Sequence, residues 1–348
     1  MVILSVVLKV GNGQRKNNVN KVILNYEVTG CPNHCQHCYC YELKAKRELI
    51  DIEDVVNLSK SFQEKSGYDT SVYLLQEQTY HPEFASLIKR LKEAELTLKN
   101  GKGMLVTNGF GLAYNKDLVK ELSSFYRVVK FTLFGTNEIH DSFVNRKGHF
   151  NEIVKASKLC LEHGIDVVWQ IMLTKGHTDD VSSLLQEAKT LNVNAFVSGN
   201  FFYSGGVLKT DEFVPTEDDI KSATFEIYEK ENDLYFPESK AHELKDQILE
   251  KTIDKVSLDN LYIDTNFDVY PLNCIEPYYK LGNIKENLDE LVMMLKDHSK
   301  LPPSIKARIE ADFDSLITTY INLESNQMHT AQTLFEKLIF RQVISVNI

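Results

Sequence analysis

The stretch Lys21-Val-Ile-Leu-Asn-Tyr-Glu-Val28-Thr-Gly-Cys31-Pro-Asn-His-Cys35-Gln-His-Cys38 decides the reading of this chain. An apolar run ends in a tight loop that carries three thiols at Cys-x3-Cys-x2-Cys spacing. Three sulfurs so close in sequence can reach three corners of one iron–sulfur cube, with a fourth corner left without a protein ligand. Such clusters are ordinarily held by four thiolates, so a vacant corner marks a place for something that reacts, like the open position of a catalytic zinc. The alternative is a structural zinc site. Cys31, His34, Cys35, His37, Cys38 and Cys40 offer ligands enough for it. Structural zinc is commonly built from two separated ligand pairs, however, and no second Cys/His pair of that spacing exists in the sequence.

At 348 residues the chain suits one barrel-sized domain with a smaller appendage. Its net charge of −10 and the lack of a basic stripe argue against a nucleic-acid substrate, which clustered Lys and Arg would have to hold. Six cysteines, four of them between Cys31 and Cys40, indicate a metal site in a reducing compartment and not a disulfide framework. Met1–Leu8 is apolar but lacks a basic n-region and a cleavage site, and it is too short to span a bilayer. It is expected to form an N-terminal strand pairing with Val22–Val28 across the Gly11–Asn20 loop. The cytoplasm is the expected location, with no membrane and no nucleic-acid partner.

Outward from the cysteine loop, strand-like and helix-like segments alternate to about residue 230. Strands are expected at Val22–Val28, Ser71–Leu75, Met104–Val106, Val128–Leu133, Ile165–Leu173 and Asn194–Phe202. Between them, Asp51 can cap a helix carrying Val55, Leu58 and Phe62. Pro82 opens one with Phe84, Leu87, Ile88 and Leu91. Another runs from Phe150 to a stop at Gly164, and Val181, Leu184, Leu185 and Ala188 share one face of a fourth. Pro215 and Thr216 open a further one, with acids in its first turn. Strands joined by single helices imply parallel βα units with right-handed crossovers. The expected fold is therefore α/β, an open (β/α)6 partial TIM barrel with a small C-terminal hairpin-plus-helix cap. The expected parts are an N-terminal strand and loop over residues 1–20, a core over 21–230, and a cap with helical tail over 231–348. Chemistry in parallel barrels gathers at the C-terminal strand ends, where the cysteine loop falls.

The loop resembles that of the radical S-adenosylmethionine (SAM) superfamily, and further motifs support the resemblance in order along the chain. Leu75-Gln76-Glu77-Gln78, followed by His81-Pro82, stands where the family has Gly-Gly-Glu-Pro. Thr107-Asn108-Gly109 matches its Thr-Asn-Gly. Thr132-Leu133-Phe134-Gly135, His140-Asp141, Arg146 and Gly148-His149-Phe150 follow its Ser-Leu-Asp-Gly, His-Asp, Arg and Gly-x-Phe pattern. The resemblance implies a 4Fe–4S cluster on Cys31, Cys35 and Cys38, with SAM chelated at the free iron. It also implies SAM contacts at Glu77, Asn108, Thr132 and Arg146, with Gln170 the polar candidate on the fifth strand. An electron from the cluster, supplied by a flavodoxin- or ferredoxin-type donor, would cleave SAM to a 5′-deoxyadenosyl radical that takes a hydrogen atom from the substrate. The chain departs from the family at Leu75, Gln76, Gln78 and Phe134, where glycines, a proline and an acid are usual.

Further on, Tyr262–Cys274, Leu281-Gly282-Asn283-Ile284 and a helix over Leu288–Leu295 resemble the start of a SPASM or twitch extension. No cysteine follows Cys274, so the auxiliary cluster of that element is expected to be lost and its hairpin kept. Cys274 is then either a buried small hydrophobe, a remnant ligand, or a catalytic hydrogen-atom donor, the role taken by a thiol in radical SAM epimerases. The layout points to a peptide substrate, modified at carbon and epimerised if Cys274 is a donor. The other readings are a sugar or nucleoside small molecule and a non-catalytic metal-binding scaffold.

Overall fold

The computed structural model describes residues 21–28, 30–36, 49–97, 103–199, 210–228, 235–255, 258–272, 279–297, 303–330 and 334. Met1–Leu8, Cys38, Cys40, Cys274 and Val343–Val346 lie outside the described residues, and with them the N-terminal strand and the role of Cys274. The chain alternates β1 (Lys21–Glu27), α1 (Ile52–Ser66), β2 (Asp69–Leu75), α2 (Phe84–Glu93), β3 (Gly103–Val106), α3 (Phe110–Tyr114), α4 (Lys116–Leu122) and β4 (Tyr126–Leu133). It continues with α5 (Asn137–Phe143), α6 (His149–Glu162), β5 (Asp166–Met172), α7 (Thr178–Thr190), β6 (Asn194–Ser198), α8 (Thr210–Phe213) and α9 (Glu217–Ser222). Then come β7 (Tyr235–Pro237), α10 (Lys245–Lys255), β8 (Asn260–Ile263), β9 (Asp268–Pro271), β10 (Gly282–Asn283), α11 (Leu288–Asp297), α12 (Pro303–Tyr320) and β11 (Met328–Thr330). No helix among the described residues is long and apolar enough to cross a membrane.

All six expected core strands form and pair in parallel, as βα units require. The helix signals act as anticipated. Asp51 caps α1 by accepting from Glu53 N–H at 2.7 Å, and Gly67 ends that helix in the left-handed region at φ 72°. Thr216 and Asp219 form a reciprocal capping box on α9. The period of two along each strand separates two faces. Leu24, Phe131, Leu133 and Trp169 are fully buried against the helical layer, where Trp169 Nε1–H donates to Ser157 Oγ at 3.0 Å. Burying each such side chain contributes about 1.5–3 kcal/mol. Lys130, Thr132 and Gln170 occupy the opposite, lumen face and are only half-buried.

Two features differ from expectation. The ladder is interrupted between β2 and β3, so the barrel strands form one sheet ordered β10-β9-β8-β1-β2 and another ordered β3-β4-β5-β6, while β7 and β11 pair antiparallel in a separate two-stranded sheet. The C-terminal hairpin also does more than cap. Its first strand, β8, pairs in parallel with β1 over Ile23–Tyr26 and so continues the barrel sheet. β1 therefore has β2 on one side and β8 on the other. The hairpin and α11 share the barrel's apolar core through Leu261, Ile263, Val269, Ile284 and Leu291. Tyr68 Oη–H donates to the Leu295 carbonyl at 3.1 Å, and Lys296 reaches the Lys65 carbonyl at 2.9 Å, which holds α11 against α1. A second core of Phe236, Ile248, Tyr279, Ile309, Phe313 and Leu316 gathers α10 and α12.

Candidate functional site

The cysteine loop leaves the C-terminal end of β1 and docks on the end of α5. His34 N–H donates to the Val144 carbonyl at 3.1 Å and Gln36 N–H to that of Phe143 at 2.9 Å. Cys35 packs against Phe134, Phe143, Val144, Met172 and Val214. Phe134, which stands where the resemblance expects an acid, is thus an apolar wall beside the Cys35 thiol; it stacks on Phe143 with ring centroids 4.0 Å apart. Cys31 and Cys35 are both half-buried.

Glu77, Asn108 and Cys31 meet at the mouth of the barrel. Glu77 is 3% exposed. Its carboxylate accepts from Thr107 Oγ1 at 2.6 Å, from Asn108 N–H at 2.5 Å and from Thr79 Oγ1. Burial raises its pKa, opposed by the hydrogen bonds from Thr107, Thr79 and Asn108. Asn108 in turn caps the following turn by accepting from Phe110 N–H at 2.9 Å, and its side-chain amide donates to Cys31 Sγ at 3.3 Å. The Gly of the Thr-Asn-Gly motif is required here: Gly109 sits at φ 87°, and a Cβ would come within 3.0 Å of the Phe131 ring. Gln76, where the family has glycine, nevertheless takes a glycine-like φ of 65°. Its side-chain amide donates to Glu27, whose other carboxylate oxygen accepts from Tyr262 Oη on β8. The departure in residue type therefore keeps the backbone shape and adds a tie to β1 and, through it, to the hairpin.

A second network lies beneath the loop. Asp141 accepts from Gly148 N–H and, at 2.9 Å, from Phe150 N–H, capping α6 from a distance. His140 Nδ1 accepts from Phe134 N–H at 3.2 Å, and its Nε2 lies 2.8 Å from His149 Nδ1. His149 Nε2 faces the Asn33 amide at 3.1 Å. Burial pushes His140 down to about 3 and His149 to about 4, so both rings are neutral at pH 7. Sequence reading noted His140 within a motif but missed His149 and Asn33. The one available signal was an amide placed midway between Cys31 and Cys35.

Arg146 is fixed by Glu152 and Phe110. Its guanidinium is gripped by Glu152, through Nε to Oε2 and Nη2 to Oε1, both at 3.0 Å, and lies 4.1 Å over the Phe110 ring. A planar fork held this way presents little conformational freedom. Phe110 follows Gly109, which keeps Arg146 on the Asn108 side of the mouth. Thr132 and Gln170 are register partners on β4 and β5. One step deeper in the lumen Lys130, which sequence reading missed, donates to Gln170 Oε1 at 2.8 Å. Desolvation lowers the Lys130 pKa, and among the described residues no carboxylate pairs with it. Where the ladder breaks, a cavity of about 890 Å³ opens between β2 and β3, lined by Leu75, Gln76, Gln78, Met104 and Val106 among others.

The donor set suits the implied cofactors. Among the described residues no three His, Cys, Asp or Glu side chains group around a metal, the third thiol, Cys38, lying outside them. The two thiols of the motif that are described sit on one loop, and an amide N–H points at one sulfur, the kind of contact that tunes an iron–sulfur cluster. Residues 28–188 match the family model of the Radical SAM superfamily, whose enzymes use a 4Fe–4S cluster and SAM. Similar solved structures include Streptococcus suis SuiB bound to S-adenosylmethionine, with TM-score 0.51 and 14% identity over 78% of this chain. This chain spans 65% of the length of that one. Another is anSMEcpe with bound AdoMet, with TM-score 0.57 and 15% identity over 94% of this chain and 98% of that one. A third is anSMEcpe with bound AdoMet and the Cp18Cys peptide, with TM-score 0.56 and 15% identity over 93% and 98%. At these identities the likeness is one of fold. No curated protein matches the chain.

Proposed function

We propose that the chain is a radical SAM enzyme that modifies a carbon centre of a ribosomally made peptide, with Cys31, Cys35 and Cys38 as ligands of its single cluster. The observation that carries this reading is the convergence of Cys31, Asn108 and Glu77 at the ends of three different strands, linked by the 3.3 Å and 2.5 Å hydrogen bonds of Asn108. When bound, the cluster and SAM supply a radical that removes a hydrogen atom from the substrate. The chain's residues bind, orient and exclude water. Glu77 and Asn108 shape the rim on which the SAM amino acid rests, Arg146 faces its carboxylate, and Thr132 and Gln170 line the adenosyl side. Phe134 and Phe143 dry the region around Cys35. The reducing electron comes from a flavodoxin- or ferredoxin-type protein in the cytoplasm.

A peptide substrate is supported by the fold neighbours solved with one, anSMEcpe with the Cp18Cys peptide and SuiB with the precursor peptide SuiA. It is supported further by the Lys130 ammonium, a lumen cation suited to a substrate carboxylate. The hairpin and α11 form a SPASM-like extension without an auxiliary cluster. Cys274 is the hydrogen-atom donor of an epimerisation. Lys130 would also hold the phosphate of a sugar or nucleotide, and this small-molecule substrate is the second reading.

Anaerobically reconstituted protein with dithionite and SAM should release 5′-deoxyadenosine. Colourless, zinc-loaded protein, or no release at full iron loading, overturns the reading in favour of a metal-binding scaffold. In deuterated water an epimerised peptide gains one deuterium at the product carbon. A Cys274→Ala variant that still makes product at the full rate removes the donor role.

A further inference from the structure

We propose that His149 is a positioning residue for the cluster loop, the hub of a one-directional hydrogen-bond chain that runs from the end of β4 through His140 to Asn33. The proposal rests on the reading of Cys31 and Cys35 as cluster ligands. Its direction is fixed at one end. Phe134 N–H can only donate, so His140 Nδ1 at 3.2 Å is the acceptor and carries no proton. The proton of the neutral ring is then on Nε2, which donates across 2.8 Å to His149 Nδ1. By the same step His149 holds its proton on Nε2; the atom 3.1 Å away is Asn33 Nδ2, so this direction requires the Asn33 amide turned end for end, with Oδ1 as the acceptor. The Asn108 main chain is also in hydrogen-bond contact with His149. One imidazole therefore touches both the cysteine loop and the residue whose side chain donates to Cys31.

The geometry leaves the rings little freedom. His140 and His149 are 0% and 1% exposed and nearly coplanar, with centroids 5.1 Å apart at 8°. Phe150 meets His140 edge-on at 6.1 Å, and Phe134 stacks on it at 6.0 Å. Asn33, 2% exposed, stands two residues from Cys31 and two from Cys35. Together with the His34 and Gln36 amide bonds to α5, it gives the loop a fixed seat between its first two ligand sulfurs. Partners that orient metal ligands in this way typically change metal affinity about 10–100-fold when removed.

The test uses the full chain, reconstituted anaerobically, as His149→Phe, His149→Gln, Asn33→Ala and wild type. Three quantities are read: the rate of iron loss to a chelator, the electron paramagnetic resonance spectrum of the reduced cluster with and without SAM, and the melting of the iron-free protein. His149→Phe and Asn33→Ala are expected to lose iron about tenfold faster and to shift the spectrum. His149→Gln, which can donate and accept, is expected to restore both. Wild-type rates and spectra in Asn33→Ala overturn the proposal, and so does a His149→Gln variant no better than Phe. Wild-type protein holding zinc in place of iron and sulfide overturns the cluster reading instead, and the positioning role with it.

Discussion

The side-chain amide of Asn108 donates to Cys31 Sγ at 3.3 Å, joining the end of β3 to the loop that follows β1. The two residues are 77 positions apart, and the contact exists because Glu77 holds the Asn108 backbone from β2 while Asn108 Oδ1 caps the turn into α3. One amide thus closes three successive βα units around a single sulfur. An N–H aimed at a cluster thiolate stabilises the more negative, reduced state. Asn108→Ala is accordingly expected to lower the midpoint potential of the cluster and to slow 5′-deoxyadenosine release about tenfold or more. Redox titration followed by electron paramagnetic resonance checks the first, and an unchanged potential would refute it.

Gln76 at φ 65° carries a side chain where the backbone asks for glycine. The left-handed conformation costs about 1–2 kcal/mol for a residue with a Cβ, while its bond to Glu27 recovers part of that. Gln76→Ala keeps the strain and loses the bond; Gln76→Gly loses both. The glycine variant should therefore be more stable than the alanine variant by about 1 kcal/mol, measured by chemical denaturation of the iron-free protein. Equal stabilities would mean that the turn relaxes in solution.

The buried histidine pair makes the fold sensitive to acid. Unfolded histidines titrate near about 6.5, whereas His140 and His149 in the folded chain stay neutral until about 3 and about 4. Below pH 6.5 the unfolded chain takes up protons that the folded chain refuses, so stability is full above that pH and falls as pH drops towards 4. Two such groups give a slope on the order of 2–3 kcal/mol per pH unit. Glu27, Glu77 and Asp264 work the other way. Burial raises each of them, so their contribution is present in acid and lost as pH rises through the raised value. His149→Gln isolates the histidine term: its stability should fall less between pH 7 and 5 than that of wild type, by denaturant melts at the two values. Parallel slopes would show that the pair is not neutral in the folded protein.

The order of strands, the caps and the cysteine loop could all be read from the chain, because each rests on neighbours in sequence: Asp51 before its helix, Gly164 after one, three thiols within eight residues. The phase of alternation on β4 and β5 could not be read from the chain; folding sets it, with Trp169 outward and Gln170 towards the lumen. What could not be read depends on pairs made by folding. β8 takes the edge of β1 across 236 residues or so of chain, a choice no local pattern encodes. Lys130 resembles any strand lysine until the lumen closes around it. Arg146 is found with Glu152, six residues on, because α6 begins between them and turns the carboxylate back.

Arg146 and Glu152 make opposite predictions for SAM. The guanidinium already holds a carboxylate bidentately beside Phe110, in the geometry a SAM carboxylate would use. Arg146→Lys keeps the charge but loses the fork, and should weaken SAM binding about tenfold, since charge-assisted hydrogen bonds are each worth about 1.5–3 kcal/mol. Glu152→Gln removes the competitor and should not weaken binding. Equilibrium dialysis of reconstituted protein reads both, and wild-type affinity in Arg146→Lys would take Arg146 out of the SAM site.

Lys130 separates cofactor chemistry from substrate recognition. Its ammonium sits in the lumen with a neutral amide as its described partner, so the charge is poorly compensated, and burial accordingly lowers its pKa. Replacing it by methionine, of similar length, removes the desolvated cation, and apolar replacements of buried charges are often neutral or stabilising. Lys130→Met should therefore melt no lower than wild type and still release 5′-deoxyadenosine from SAM alone, because nothing in its contacts reaches the cysteine loop. With an acidic peptide substrate the same variant should show a raised KM, and the difference should vanish for the peptide with Asn or Gln in place of its acid. A variant that loses cleavage of SAM itself would place Lys130 in the cofactor site. One that handles acidic and amide peptides as wild type does would leave the lumen cation without a role in recognition.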